Sequence, residues 1–186
     1  ISISMMKNES EGTQLVLTAK QDVSSYELIG GDLKDDAGNV ISKDDISIYH
    51  QKYITITKRA NAEMNPAFAV GDYIPDMLLD MDKAVEYKEN TIKSGENQSI
   101  YVEVETKSDT KAGTYKGDFT LKVDGAEVSV PVTVTVWDFG FDGKSEFKSV
   151  FLLYTWGLLH GEYDCSDEMI LNYMETALKY DICIYP

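Results

Sequence analysis

The stretch GTYKGDFTLKVDGAEVSVPVTVTVWDF, residues 113–139, decides the fold class of this chain. Both of its halves alternate apolar and polar residues, which is the period of a β-strand with one buried face. Asp124-Gly125 separates the halves and is a strong signal of a two-residue hairpin turn. The stretch therefore predicts two long antiparallel strands joined by a tight turn. The side chains that the alternation directs toward a common core are Tyr115, Phe119, Leu121, Val123, Val128, Val130, Val132, Val134 and Val136.

Pro131 lies within the second of these strands. Proline has no N–H to donate to a ladder of hydrogen bonds, and within sheets it is confined to edge strands, strand starts and bulges. We therefore expect an edge strand or a bulge at Pro131.

The region around the hairpin, residues 1–139, contains about eight short alternating segments separated by turn residues. This spacing is typical of an antiparallel β-sandwich. The Cys…Trp…Cys pattern of antibody domains is absent, so the predicted class is mainly β and immunoglobulin-like in the broad sense only. Residues 59–96 are the exception, because they show no sustained period and are too long for an ordinary loop. We expect them to be irregular, with the apolar segment YIPDMLLDM, residues 73–81, docked on a surface.

The pattern changes after residue 140. The run EFKSVFLLYTW, residues 146–156, includes consecutive apolar residues, as in a parallel strand buried on both faces. Ser166 then offers an N-cap for a helix, and DICIYP, residues 181–186, resembles a second short strand. A single strand–helix–strand unit cannot bury both faces of a sheet. The pattern therefore predicts the start of a larger α/β domain.

Two domains follow from these patterns. We predict a β-sandwich over 1–139 and the first β-α-β fragment of a truncated second domain over 140–186. Cys165 and Cys183 would lie at opposite ends of the predicted helix, roughly 20 Å apart at the rise of an α-helix. A disulfide requires Cα atoms within about 7 Å, so we expect two free thiols.

The charge of the chain excludes two classes of partner. It carries 32 acidic and 17 basic residues, a net charge of −15 at pH 7. Such a surface repels nucleic acid and anionic membranes, and no apolar run approaches the ~20 residues of a membrane helix. The chain opens in the strand-like ISISMM without an initiator methionine or signal peptide. We expect a mature protein or a cut piece, with any export signal outside the sequence and a secreted or cell-surface location of bacterial type.

Four segments occur in an order that resembles the N-terminal β-sandwich of proteins related to glycoside hydrolase family 123. They are NESEGTQLVLTA (8–19), YIPDMLLDM (73–81), GENQSIYVEVETKSDTKAGTYKGDFTLKV (95–123) and VPVTVTVWDF (130–139). The later segments FKSVFLLYTW and LKYDICIYP are similar to the opening of a (β/α)-barrel, and the resemblance covers nearly the whole chain.

The resemblance implies a parent enzyme that acts on β-linked N-acetylhexosamine in glycans, most specifically N-acetylgalactosamine. Its catalytic domain would be the chain's own C-terminal barrel, through which the glycan substrate is bound. In that family the acetamido oxygen of the substrate attacks the anomeric carbon, and an adjacent Asp-Glu pair stabilises the oxazoline intermediate and supplies the acid. This mechanism is an exception to the scheme with two separate carboxylates. The pair belongs on a later barrel strand, so we expect no catalytic residue in this chain.

Asp167-Glu168 is an adjacent acidic pair, but it follows an N-cap serine and opens a helix, where the helix dipole favours anions. We therefore interpret it as a helix start and not as the catalytic pair. Tyr154, Trp156 and His160 follow the first predicted barrel strand, at the end where barrels build their active sites. They could form part of a sugar pocket; the alternative is that Trp156 lies in the core and His160 in an ordinary loop.

Trp137, Asp138 and Phe139 end the alternation of the last sandwich strand, and we predict that they form the interface with the next domain. His50 is expected at the surface near a strand end. DLKDDAGN, residues 32–39, departs from a calcium-binding loop at Lys34 and predicts a turn. No Cys/His cluster has zinc spacing and no Gly-rich phosphate loop is present, so we expect no cofactor and no metal.

Three functions remain open from the sequence. The first is the non-catalytic sandwich of a glycoside hydrolase, which supports or shapes the barrel. The second is a free-standing carbohydrate-binding or adhesion module, and the third is a spacer in a cell-surface protein. The strand–helix–strand tail favours the first, because a spacer has no use for half of a parallel unit.

Overall fold

A computed structural model provides the structure of this chain. It describes residues 1–57, 70–141, 149–152, 165–180 and 182–185. The chain divides into two compact units, residues 1–142 and 143–186. The strands described in the first unit are β1 Ser2–Lys7, β2 Ser10–Thr18, β3 Tyr26–Ile29, β4 Leu33–Lys34, β5 Val40–Ile41, β6 Ile46–Thr55, β7 Tyr73–Asp80, β8 Asn97–Glu105, β9 Gly113–Val123 and β10 Ala126–Gly140. Its helical elements are a 3₁₀ turn, Lys43–Asp45, and α1, Met81–Glu86.

The strands of the first unit form a β-sandwich, which confirms the predicted fold class. One sheet has the order β1-β10-β9-β4-β5, with β3 also pairing with β9, and the other has the order β2-β8-β6-β7. Apolar side chains from both sheets form one core. Its largest fully buried members are Tyr26, Tyr115, Phe119, Met5, Leu33, Ile100, Val102, Val104, Val132 and Val134.

The predicted hairpin is confirmed. β9 and β10 pair antiparallel from Ala126↔Val123 onward, and the two turn residues Asp124 and Gly125 have φ angles of 47° and 84°. Two consecutive positive φ angles are the requirement of a type I′ turn, which explains the Asp-Gly pair. The prediction of a buried side chain was wrong for Val128, which is 54% exposed. Its cross-strand neighbour Leu121 is buried, but β1 pairs with β10 only from Ser2↔Thr133 onward, so Val128 lies on an open edge of the sheet.

The expected edge is present at Pro131, although β10 lies between β1 and β9 further along. Its pairing with β9 is continuous at this residue, so there is no bulge. β1 pairs with β10 only from Ser2↔Thr133 onward, and the carbonyl of Pro131 accepts a hydrogen bond from the terminal amine of Ile1 at 2.8 Å. The nitrogen of Pro131 thus faces the side where β1 has not yet begun, so its missing N–H leaves no partner unsatisfied.

The sandwich is not entirely antiparallel, since β1 pairs parallel to β10. Ile3 and Met5 of β1 alternate with exposed serines and are buried in the core. Alternation indicates a strand with one buried face, but it does not indicate whether that strand pairs parallel or antiparallel with its neighbour. The sequence therefore predicted the strand but not its parallel pairing.

Residues 59–96 contain regular structure where an irregular segment was expected. β7 lies at the edge of the smaller sheet and pairs with β6, and α1 follows it directly. The register shifts by one residue where Tyr53 opposes Pro75, which leaves Asp76 as a bulge. Pro75 and the bulge break the alternation that would have indicated a strand, and both features are typical of an edge strand.

The second unit contains a parallel strand pair with a helix between the strands. β11, Phe151–Leu152, pairs with β12, Ile184–Tyr185, and α2 comprises Asp167–Lys179. The hydroxyl of Ser166 accepts a hydrogen bond from the Met169 N–H at 3.2 Å, so the predicted N-cap is confirmed. The assignment of the second unit to a barrel stays a prediction.

Several apolar side chains of the second unit are exposed, including Phe151 and Leu152, for which burial on both faces was expected. A two-residue ladder with one partner strand does not cover them. Cys165 is buried and Cys183 is exposed, and both are free thiols. Across the described residues of both units, no helix combines the length and the apolar character needed to cross a membrane.

Candidate binding site

A cleft of about 520 Å³ opens on the smaller sheet of the sandwich. β6 contributes His50, Lys52 and Tyr53 to its lining, and β7 contributes Tyr73. The remaining lining residues come from the segment 89–98, which connects α1 to β8 and includes the first two residues of β8. The cleft therefore lies where an edge strand, its neighbour and a connecting segment meet.

His50 forms the buried floor of the cleft and was expected at the surface, so that expectation was wrong. It is only 3% exposed and its Nδ1 is hydrogen-bonded to the hydroxyl of Tyr26. Desolvation by burial lowers the pKa of His50, against the attraction of the Glu89 carboxylate. Burial also raises the pKa of Tyr26, so it favours the neutral form of both side chains. The pair is therefore a neutral imidazole and a neutral phenol.

The direction of this hydrogen bond follows from the burial of Tyr26, which is 0% exposed. Within the described part of the chain, His50 is the one hydrogen-bond partner of the Tyr26 hydroxyl. A buried hydroxyl needs an acceptor for its hydrogen, so Tyr26 donates to Nδ1. In a neutral imidazole the other nitrogen, Nε2, then carries the hydrogen. His50 is thus fixed as a hydrogen-bond donor at the floor of the cleft.

Gln98 lies beside His50 and is held rigidly. Its amide nitrogen donates to the backbone oxygens of Gln51 and Ser99, both at 2.8 Å, and the residue is only 6% exposed. Its Oε1 has no hydrogen-bond partner among the described residues and is not sealed from solvent. Gln98 therefore presents an acceptor, while His50 presents a donor.

One wall of the cleft consists of two tyrosine rings. The rings of Tyr53 and Tyr73 are stacked, with centroids 4.9 Å apart and an interplanar angle of 23°. Thr55 opposes Tyr73 across the β6–β7 ladder, which makes Tyr53 and Tyr73 diagonal neighbours on one face. Tyr73 is 62% exposed, so one aromatic ring remains available for stacking.

The charges of the cleft balance. Its lining includes two lysines, Lys52 and Lys93, and two glutamates, Glu89 and Glu96. Lys52 forms an ion pair with Glu89 at 2.6 Å, and Lys93 pairs with Asp22 at 3.1 Å. The local neutrality contrasts with the net charge of −15 for the whole chain. The lining therefore offers hydrogen bonds and aromatic surface without a net charge.

The residues singled out in the sequence lie in three parts of the chain: after the first strand of the second unit, at the start of α2, and at the end of β10. Tyr154, Trp156 and His160 lie outside the described residues. Asp167 and Glu168 lie in the first turn of α2, behind the Ser166 cap, as the interpretation of a helix start requires. In the described ranges, no three His, Cys, Asp or Glu side chains are grouped as a metal site requires.

Trp137, Asp138 and Phe139 form the end of β10. The rings of Trp137 and Phe139 stack with centroids 5.6 Å apart, and both residues are exposed. Lys7 Nζ forms an ion pair with Asp138 at 2.7 Å, and this contact lowers the pKa of Asp138. Their role as a domain interface stays a prediction.

The cleft was not predicted, although the sequence contains one signal of it. Ile46, Ile48 and His50 share one face of β6, because side chains alternate along a strand. A histidine that continues an apolar face indicates a buried polar group with a partner. Gln98 and Tyr73 carried no such signal, because their proximity to His50 depends on which strands pair.

Comparisons with known proteins agree with this architecture. A family model described as the glycoside hydrolase 123 N-terminal domain matches residues 2–123, which include every residue of the cleft. A solved structure of a family 123 glycoside hydrolase from Clostridium perfringens, whose study concerned glycolipid glycan hydrolysis, aligns with a TM-score of 0.74 and 14% identity. The alignment covers 98% of this chain and 32% of the Clostridium protein. The chain thus spans about a third of that relative's length.

Two other solved structures align less well. The C-terminal domain of the antigen I/II-family protein AspA from Streptococcus pyogenes has a TM-score of 0.33 and 15% identity, over 72% of this chain and 41% of that one. The CooA pilin subunit from enterotoxigenic Escherichia coli has a TM-score of 0.32 and 15% identity, over 73% and 88% of the two chains. No curated protein matches the sequence.

Proposed function

We propose that this chain is the non-catalytic sandwich of a glycoside hydrolase, because it belongs to the family of glycoside hydrolase 123 N-terminal domains. The parent enzyme would act on glycans that contain β-linked N-acetylhexosamine, most specifically N-acetylgalactosamine. The family match over residues 2–123 carries this proposal. The choice of sugar rests on the family resemblance of the segments quoted above.

The two units suggest different roles for the sandwich and for the domain that follows it. The sandwich has a complete core of its own, formed by both of its sheets. The parallel β11–β12 pair with α2 between its strands has the connectivity of a β-α-β unit. We propose that this unit opens the catalytic barrel, and that the Asp-Glu pair of the mechanism lies on a later barrel strand.

The supporting role of the sandwich is proposed to depend on the end of β10. Trp137 and Phe139 together present two stacked, exposed rings on a rigid strand, and such pairs are typical of surfaces that pack against another protein surface. The end of β10 pairs with β1 at Lys7↔Gly140, and Lys7 also forms an ion pair with Asp138, which lies between the rings. We propose that this surface docks the catalytic domain and keeps its first strand in place.

Hydrolysis of a chromogenic β-N-acetylgalactosaminide tests the proposal. The chain of residues 1–186 is expected to show no turnover, whereas the longer protein encoded by the same gene is expected to release the chromophore. Turnover by the 186-residue chain would show that it is catalytic itself. A gene that encodes no domain downstream of Pro186 would contradict the parent enzyme.

A further inference from the structure

We propose that the cleft between β6, β7 and the segment 89–98 binds a neutral saccharide, with one sugar ring stacked on Tyr73 and its polar groups bonded to His50 and Gln98. All residues that line this site belong to the sandwich. The site does not depend on the catalytic role of the parent enzyme, because the observations that carry it come from the sandwich alone.

The floor of the cleft provides a matched donor and acceptor. Nε2–H of His50 and Oε1 of Gln98 belong to side chains that are both more than nine-tenths buried, and neither atom has a partner among the described residues. Both atoms remain open to solvent, so a ligand that binds here must replace the hydrogen bonds that water makes to them. The ligand must therefore accept from one atom and donate to the other. A sugar hydroxyl accepts and donates at once, and an acetamido group does the same through its oxygen and its N–H.

Both floor residues are positioned before any ligand arrives. The Tyr26 hydroxyl holds the imidazole of His50 in one tautomer, and two backbone carbonyls hold the amide of Gln98. Preorganised polar groups lose little conformational entropy on binding, which raises affinity. This arrangement is expected for a ligand site and is unnecessary for a solvated surface.

The tyrosine wall favours a ring with an apolar face. A pyranose presents C–H groups on its faces and hydroxyls at its rim, which matches an exposed aromatic ring beside polar groups. Tyr53 packs behind Tyr73 and fixes the orientation of its ring. The volume of about 520 Å³ falls within the range of small-ligand sites, roughly 300–1,000 Å³.

The balanced charges exclude an ionic ligand. Each lysine of the lining already has an acidic partner, Glu89 or Asp22. A phosphate or a carboxylated ligand would therefore meet no unpaired cation among the described lining residues, and the net charge of −15 would repel it. Glu96 is the one carboxylate of the described lining outside these ion pairs, and a single carboxylate supplies too few ligands to hold a metal cation. A neutral, hydroxyl-rich molecule is the class that fits.

Calorimetry with the chain of residues 1–186 tests the proposal. The probes are methyl β-N-acetylgalactosaminide and cellobiose, which are neutral, and sialyllactose, which carries a carboxylate. At least one neutral saccharide is expected to bind. Loss of the stacking ring in Tyr73→Ala is expected to weaken that binding by about tenfold. Tyr87→Ala is the matched control, because Tyr87 is similarly exposed but does not line the cleft, and it is expected to bind as the unmodified chain does.

The role of the floor is tested by NMR of the two histidine rings, His50 and His160. A His160→Gln variant identifies the ¹⁵N signals of His50, which are expected to show Nε2 protonated and to shift when the bound saccharide is added. Three results would each overturn the proposal: no binding of either neutral probe, equal binding by Tyr73→Ala, or tighter binding of sialyllactose than of both neutral probes. Saccharide binding that leaves the His50 signals unmoved would place the ligand elsewhere and overturn it as well.

Discussion

The hydroxyl of Tyr26 and Nδ1 of His50 form a hydrogen bond that connects the two sheets of the sandwich. Tyr26 belongs to β3 of the larger sheet and His50 to β6 of the smaller one. Both residues are buried, so water cannot replace either partner. The bond joins the core to the floor of the cleft, and it provides the most direct test of the packing described above.

Tyr26→Phe is expected to destabilise the chain by about 1–3 kcal/mol, because Nδ1 of His50 would remain buried without a partner. Urea unfolding followed by circular dichroism measures this loss. Tyr115→Phe is the control: its hydroxyl donates to the Lys111 carbonyl at 2.7 Å in a partly buried position, where water can take its place. A loss in Tyr26→Phe no larger than in Tyr115→Phe would contradict the assigned bond.

The lowered pKa of His50 predicts a pH dependence of stability. Burial lowers this pKa below the ordinary value of 6.5, Lys52 acts in the same direction, and Glu89 opposes them. The unfolded chain therefore binds the proton more readily, so the contribution of His50 is complete above pH 6.5 and is lost as the pH falls below it. One proton limits the slope to about 1.4 kcal/mol per pH unit. Urea unfolding between pH 7.5 and 5 measures it.

The aspartates do not obscure this window. The pKa values of Asp22, Asp35 and Asp124 are lowered from 3.8, chiefly by hydrogen bonds, so their stabilising contributions are lost only as the pH falls below 3.8. His50→Gln is expected to flatten the slope between pH 7 and 5, whereas His160→Gln is expected to retain it. The reverse result would assign the slope to His160.

Gly117→Ala is expected to destabilise the sandwich by about 1–3 kcal/mol through overpacking. A Cβ at this position would lie 2.6 Å from the backbone oxygen of Asp32 and 2.9 Å from Leu33 Cδ2, and the backbone cannot move away cheaply. At Gly30 a Cβ would meet only side-chain ends, Cδ1 of Ile48 at 3.4 Å and Cγ2 of Ile46 at 4.0 Å. Gly30→Ala is therefore expected to change stability by less than about 0.5 kcal/mol. Equal effects of the two substitutions in thermal unfolding would refute the close approach of β4 to β9.

Replacing Trp137 and Phe139 by alanine tests the proposed docking surface. In the 186-residue chain the stability of the sandwich is expected to change by less than about 0.5 kcal/mol per substitution, since both side chains are exposed. In the proposed longer enzyme the double variant is expected to lower the melting temperature of the proposed catalytic domain by several degrees, because apolar contact area would be lost. Val16→Ala, an exposed apolar residue on the other sheet, is the control. An unchanged melting temperature in the double variant would show that these two rings do not contribute to domain docking.

Local signals account for the part of the fold that the sequence predicted. The type I′ turn at Asp124-Gly125 and the alternation on both sides of it specify the β9–β10 hairpin within 27 consecutive residues, 113–139. The Ser166 cap likewise places the start of α2. Each of these features depends only on residues a few positions apart.

The missed features depend on distant residues. The alternation of β7 is broken by Pro75 and the bulge at Asp76, and only its pairing with β6 identifies it as a strand. The partner of β1 lies about 130 positions further along the chain. The cleft has the same origin, since Tyr26, His50 and Gln98 meet only after three strands have been placed. Periodicity therefore predicts the elements, whereas the site depends on their assembly.

The pairing of β1 with β10 has a consequence for synthesis. Among the described strands β1 pairs with β10 alone, and its first paired residues are Ser2 and Thr133. On the ribosome, β1 cannot pair until residues near 136 have been synthesised. Such long-range pairing slows folding. A protein ended at residue 123, where the family match ends, would lack β10, so β1 would have no strand partner and β9 would become an open edge prone to aggregation. The smallest piece able to fold reliably must reach the end of β10.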